Sequence, residues 1–200
     1  MNLTYDKLKE TMEAKQYSFF DDGAYNLNIF GIRSGDYKVD EFNDFVGLAY
    51  RDEGDNKVLQ VFKATTKPGL YYLKNKLGNV NGTAILIPGQ YRKCWKLGFH
   101  KQRYQALVQN GAGVFKVWRD NDSDSDLDMN GPVYTDVGGL NAHTTSFTSE
   151  VERVGQYSAG CQVIQDDLDF KIFLAIVIKS STLYSKIFSY TLLEEGDFDN

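Results

Sequence analysis

Phe45-Val46-Gly47-Leu48-Ala49-Tyr50, then a polar interval, then Lys57-Val58-Leu59-Gln60-Val61-Phe62-Lys63-Ala64-Thr65, stopped by Lys67-Pro68-Gly69, is the stretch that sets the fold class. Both runs are rich in β-branched and aromatic residues and are bounded by turn formers, so they predict two strands. Upstream, Leu27, Ile29, Phe30 and Ile32 predict another strand. Before it, Tyr5, Leu8 and Met12 recur at helical spacing within Thr4 to Gln16 and predict a short amphipathic helix. Downstream, strands are expected at Gly82 to Ile87 (stopped by Pro88-Gly89), at Tyr104 to Gln109 and at Val114 to Trp118. Asp166 or Asp167 can cap a helix carrying Leu168, Ile172, Phe173, Ile176 and Val177, and Lys186 to Leu193 predicts a closing strand before a solvated tail of Glu194, Glu195, Asp197 and Asp199. Without repeats, linkers or a shift in composition, the expectation is one α+β domain over residues 1–200, with a β-rich body.

With 200 residues, 42% of them apolar and 24% charged, the chain can bury its own core, which excludes a disordered, collagen-like or disulfide-framework protein. The net charge of −5 weighs against a nucleic-acid coat. Met1 to Lys7 lacks the basic start and apolar core of a secretory signal, and the longest apolar run, Ile172 to Ile178, is far short of the roughly 18 residues of a membrane span. These features predict synthesis in the cytoplasm and no membrane partner. Cys94, Cys161, His100 and His143 are the only cysteines and histidines, so thiol or imidazole chemistry must draw on them. Their spacing matches no compact zinc pattern, and a Cys94–Cys161 bridge is not expected in such a chain.

Asn141-Ala142-His143-Thr144-Thr145 precedes Tyr157-Ser158-Ala159-Gly160-Cys161-Gln162-Val163. A cysteine nucleophile needs a base in hydrogen-bond reach and backbone N–H groups aimed at the developing oxyanion. Gly160 permits a tight backbone beside Cys161, and the small Ala159 leaves the approach open. The interval from His143 to Cys161 suits two neighbouring strands joined by a loop. A backbone carbonyl, Ser158 or Thr145 would each serve to orient His143.

This segment resembles the catalytic domain of the L,D-transpeptidase family, whose signature is a His, a gap of about fifteen residues, and then Ser or Thr, any residue, Gly and Cys. His143, Ser158, Gly160 and Cys161 occupy those places. A broader similarity to phage and prophage members runs through Pro68 to Leu73, Gly82 to Leu86, Pro88 to Arg92 and Tyr104 to Gln109. The resemblance implies a β-sandwich body, beside the N-terminal helix and the helix after the cysteine that the spacing predicts. It also implies a Cys161 acyl-enzyme formed with His143 as base, with peptidoglycan stem peptides as substrate and no cofactor required. Ala159 stands where wall-cross-linking members carry His, and Val163 where they carry the Arg that helps hold the acyl donor. Hydrolysis is therefore expected rather than cross-linking, by a monomeric lysin of the endolysin type that reaches the wall of its host bacterium after release. The alternatives are a cross-linking L,D-transpeptidase and an inactive wall-binding or virion-structural module.

Gln90 to Tyr104 interleaves basic and aromatic residues without an acid. Such a face suits an anionic peptide or a single nucleic-acid strand, and the stem-peptide reading places Arg92, His100, Gln162 and Thr144 at the substrate. Asp120, Asp122, Asp124 and Asp126 alternate as in the front half of a Ca²⁺ loop, without its Gly at the sixth position or its closing Glu.

Overall fold

The computed structural model of the chain describes residues 2–75, 77, 79–135, 138–146 and 151–199. Its helices are α1 (Tyr5–Ala14), α2 (Leu70–Lys74) and α3 (Asp167–Leu183). The strands are β1 (Asn28–Arg33), β2 (Asp44–Arg51), β3 (Lys57–Thr65), β4 (Thr83–Leu86), β5 (Gly89–His100), β6 (Tyr104–Gln109), β7 (Val117–Asp120), β8 (Ala142–Thr144), β9 (Gln162–Ile164) and β10 (Ile187–Glu194). The architecture is α+β and β-rich, as expected.

The expected two-layer sandwich is replaced by closure. β1, β10, β5, β6, β8, β9, β3 and β2 form one closed barrel, and β4 and β7 stand apart as a two-stranded sheet. Closure follows from two parallel pairings, β1 with β10 and β8 with β9, which join otherwise antiparallel runs and leave no free edge in the main sheet. The interior holds Trp95, Leu107, Tyr190 and Leu192, and α3 adds Phe170, Phe173 and Val177 to the same cluster.

β1 is buried at every position. Ile29 joins the interior cluster, whereas Phe30 and Ile32 meet Tyr5, Leu8 and Met12 of α1, so both faces of the strand are covered. Thr4 caps α1 through its hydroxyl, and Asp166 caps α3 by accepting from the N–H groups of Leu168 and Asp169. The tail is not simply solvated. Glu195–Phe198 forms a 3-10 helix that buries Phe198 against α1, and Asp197 pairs with Lys15 at 2.6 Å. Among the described residues no helix is long and apolar enough to cross a membrane.

Candidate active site

β8 and β9 are only three residues long, yet their parallel register places His143 opposite Val163, two residues past Cys161. Side chains alternate across a strand. Ala142 and Ile164 face the interior cluster, while Val163 packs outside with Cys161, Phe42 and Val154. His143 and Cys161 thus sit on one face as diagonal neighbours, with Cα atoms about 8 Å apart from strand spacing and rise. Among the described residues no hydrogen bond joins them. The segment 147–150 of their connection lies outside the described residues.

Nδ1 of His143 lies 2.7 Å from the Thr144 carbonyl oxygen. A carbonyl only accepts, so Nδ1 carries the proton and Nε2 is left as the basic nitrogen. Among the orienting partners open in the sequence, a backbone carbonyl fills the role. The Tyr104 hydroxyl donates to the same carbonyl at 3.2 Å. The His100 ring stacks on His143 with centroids 4.1 Å apart. Burial, and then the neighbouring His100, push the His143 pKa down to about 3; burial and the charges of Lys101 and Arg103 lower His100 as well.

The Cys161 thiol donates to the Gly139 carbonyl at 3.3 Å and accepts from the Asn141 N–H at 3.5 Å. Burial raises its pKa, with the Asn141 N–H and Lys101 opposing. At neutral pH the pair therefore rests as thiol and neutral imidazole. Cys161 and Ala159 line a cleft of about 270 Å³ together with Ala84, Arg119, Gly139 and Leu140.

Two features hold the Cys161 loop. Ser158, fully buried, accepts from the Gly160 N–H at 3.1 Å and donates to the Cys161 carbonyl at 2.8 Å. Gly160 has φ +114°, and a Cβ there would lie 2.6 Å from the Ala84 carbonyl oxygen, so only glycine lets the loop approach β4. Because Ser158 occupies the Gly160 N–H, the expected use of that amide for an oxyanion is not available. The Cys161 N–H makes no hydrogen bond among the described residues and remains a donor.

The opposite wall is built by residues that the motif did not single out. Leu140 donates its N–H to Gln109 Oε1 at 3.0 Å, and its carbonyl accepts from the Trp95 indole at 2.8 Å. Asn141 Oδ1 accepts from the Gln109 N–H at 2.9 Å, which turns its amide nitrogen toward His100 Nδ1 at 3.1 Å. Gly139 has φ +82°, so the Gly138-Gly139 pair beside the motif was the available sequence signal for the turn that leads into this wall.

The other predicted site residues fall elsewhere. Gln162 is buried in the barrel, accepting from the Tyr190 hydroxyl at 2.8 Å. The Thr144 side chain is buried and donates to the Ile164 carbonyl. Arg92 lies over the Phe20 ring, about 20 Å along β5 from His100 once the irregularity near Lys93 is allowed for. His100 adjoins His143 without lining the cleft. Cys94 is a free thiol buried in the core, raised by burial. Of the acidic loop, Asp120 and Asp122 converge with Asp128; Asp124 instead accepts from the Asp126 N–H, and Asp126 is exposed outside the cluster. Compared with protein-family models, with curated proteins and with solved structures, the chain matches none.

Proposed function

We propose that the protein is a cysteine-dependent hydrolase of peptidoglycan stem peptides, of the L,D-transpeptidase-like kind. The observation that carries this reading is Cys161 lining a cleft, one register step from a histidine whose Nδ1–H is committed to a backbone carbonyl. Substrate entry displaces the contact from the thiol to Gly139. Nε2 of His143 takes the Sγ proton, and the thiolate attacks the carbonyl after a diaminopimelate-type residue. The Cys161 N–H stabilises the oxyanion. The imidazolium then protonates the leaving amine, and water, activated by the same Nε2, releases the acyl-enzyme. Burial keeps this imidazole neutral at neutral pH, the form in which Nε2 can accept a proton.

Arg92, expected at an anionic stem peptide, does not line the cleft. Among the described residues that line the cleft, the cation is Arg119, whose Nη1 donates to the Gly82 carbonyl at 3.0 Å. A stem-peptide carboxylate entering the cleft would meet this guanidinium. The buried thiol, bonded to Gly139 rather than to His143, favours as second reading a wall-binding module without turnover.

Incubation of the protein with muropeptides, followed by mass spectrometry, separates these readings. Hydrolysis predicts new products with wild type and none with Cys161→Ala, whereas the binding module predicts wall retention and no products with either. New cross-linked dimers on supplying an amine acceptor would assign the transpeptidase activity instead.

A further inference from the structure

We propose that Asp120, Asp122 and Asp128 form a Ca²⁺ site that closes the loop following β7 beside the cleft. The inference stands apart from the hydrolase reading, because none of these residues belongs to the Cys161 machinery. The three side chains offer carboxylate oxygens within 4.8 Å of one another. That is the widest separation open to two ligands that each lie about 2.4 Å from one Ca²⁺.

Asp120 supplies the independent observation. It is almost fully buried at the end of β7, and its Oδ2 accepts from the Asp128 N–H at 3.1 Å, drawing the loop's far end back to its start. Its Oδ1 is buried with no hydrogen-bond partner among the described residues. A buried carboxylate oxygen without a donor is costly, and two further carboxylates facing it add repulsion. A divalent cation removes both costs at once. The donors are all oxygens, without the nitrogen or sulfur that would select zinc. An irregular loop whose backbone carbonyls and waters can complete a shell of six to eight fits Ca²⁺ better than the strict octahedron of Mg²⁺. Asp120 follows Arg119, and the backbone of Gly82 approaches its carbonyl closely. Since Arg119 and Gly82 both line the cleft, the ion would fix one of its walls.

Trp118 lies two residues before Asp120 on β7, so it can sensitise Tb³⁺ bound at this site. The full chain, stripped with a chelator, is titrated with Tb³⁺ under tryptophan excitation and then with Ca²⁺ or Mg²⁺. One saturable Tb³⁺ equivalent displaced by Ca²⁺ is expected. Asp122→Asn, at an exposed ligand, should weaken binding by about tenfold or more, at least the loss typical of an outer-shell partner. Asp126→Asn, outside the triad, should leave it unchanged. Circular dichroism checks that both variants fold. Unsaturable Tb³⁺ signal, equal affinity in the two variants, or displacement by Mg²⁺ as readily as by Ca²⁺ would overturn the proposal.

Discussion

His143 is the residue at which burial has the clearest solution consequence. In the unfolded chain it titrates near its ordinary value of about 6.5. In the fold, burial and the His100 ring hold it at about 3. Between those values the unfolded state binds the extra proton, so stability is complete above about pH 6.5 and is lost as the pH falls toward 3. One such group contributes a slope of up to about 1.4 kcal/mol per pH unit. Chemical denaturation of wild type and His143→Gln at about pH 7 and pH 5 should show a flatter pH dependence in the variant by on the order of 2 kcal/mol; equal slopes would refute the assignment. Gly160 makes the complementary point about backbone. Alanine there must adopt a positive φ, costing about 1–3 kcal/mol, and must push against the Ala84 carbonyl. Gly160→Ala is expected to lower the melting temperature and to abolish muropeptide cleavage even though Cys161 is intact.

Among the elements, those legible in sequence were the ones whose pattern repeats long enough. β3 and β6 coincide with their expected limits, α1 lies within its expected range, and α3 starts after Asp166, one of the two caps expected for it. The longest strand, β5, shows in sequence only a basic, aromatic stretch. Lys93 has φ +53° and the register with β10 shifts there, so an irregularity breaks the alternation and brings Lys93 beside exposed Arg92 ahead of buried Cys94 and Trp95. α2 and the strands β8 and β9 are too short for any period to show. The nearness of His143 to Cys161 was legible, because their interval suits two neighbouring strands joined by a loop, and β8 and β9 pair side by side. The cleft wall was not, because Trp95, Gln109 and Asn141 come together only through the pairing of β5 with β6 and of β6 with β8. That wall is testable as a unit. Trp95→Phe keeps the ring in the core but leaves the buried Leu140 carbonyl without its donor, a cost of about 1–3 kcal/mol. Muropeptide cleavage should slow while Cys161 still reacts with a small thiol probe; unchanged turnover would mean that the Leu140 segment needs no such support.

For the molecule as a whole, the decisive contacts are those that bind the small sheet to the barrel. Arg33 of β1 donates to the Leu86 carbonyl of β4 at 2.8 Å and to the Thr66 carbonyl at 3.0 Å. Asp44 of β2 accepts from the Thr66 N–H at 2.7 Å and pairs with Lys67 at 3.0 Å, both charged side chains being almost wholly buried. The turn that ends β3 is thereby fixed. Two residues beyond Lys67, the Gly69 N–H donates to the Ser158 carbonyl at 2.9 Å, so the charged cluster and the Cys161 loop share one support. Removing one partner of such a cluster leaves an uncompensated buried charge, at about 3–5 kcal/mol, whereas removing both partners of a pair costs much less. Asp44→Asn should therefore lower the urea midpoint strongly. Asp44→Asn combined with Lys67→Met should recover a substantial part of the loss, because the buried ammonium is gone as well. The double variant is also the sharper probe of the cleft. If the cluster acts only through stability, muropeptide cleavage should return along with the midpoint. A recovered midpoint without cleavage would show that the Lys67 to Gly69 turn positions the Ser158 to Cys161 loop directly.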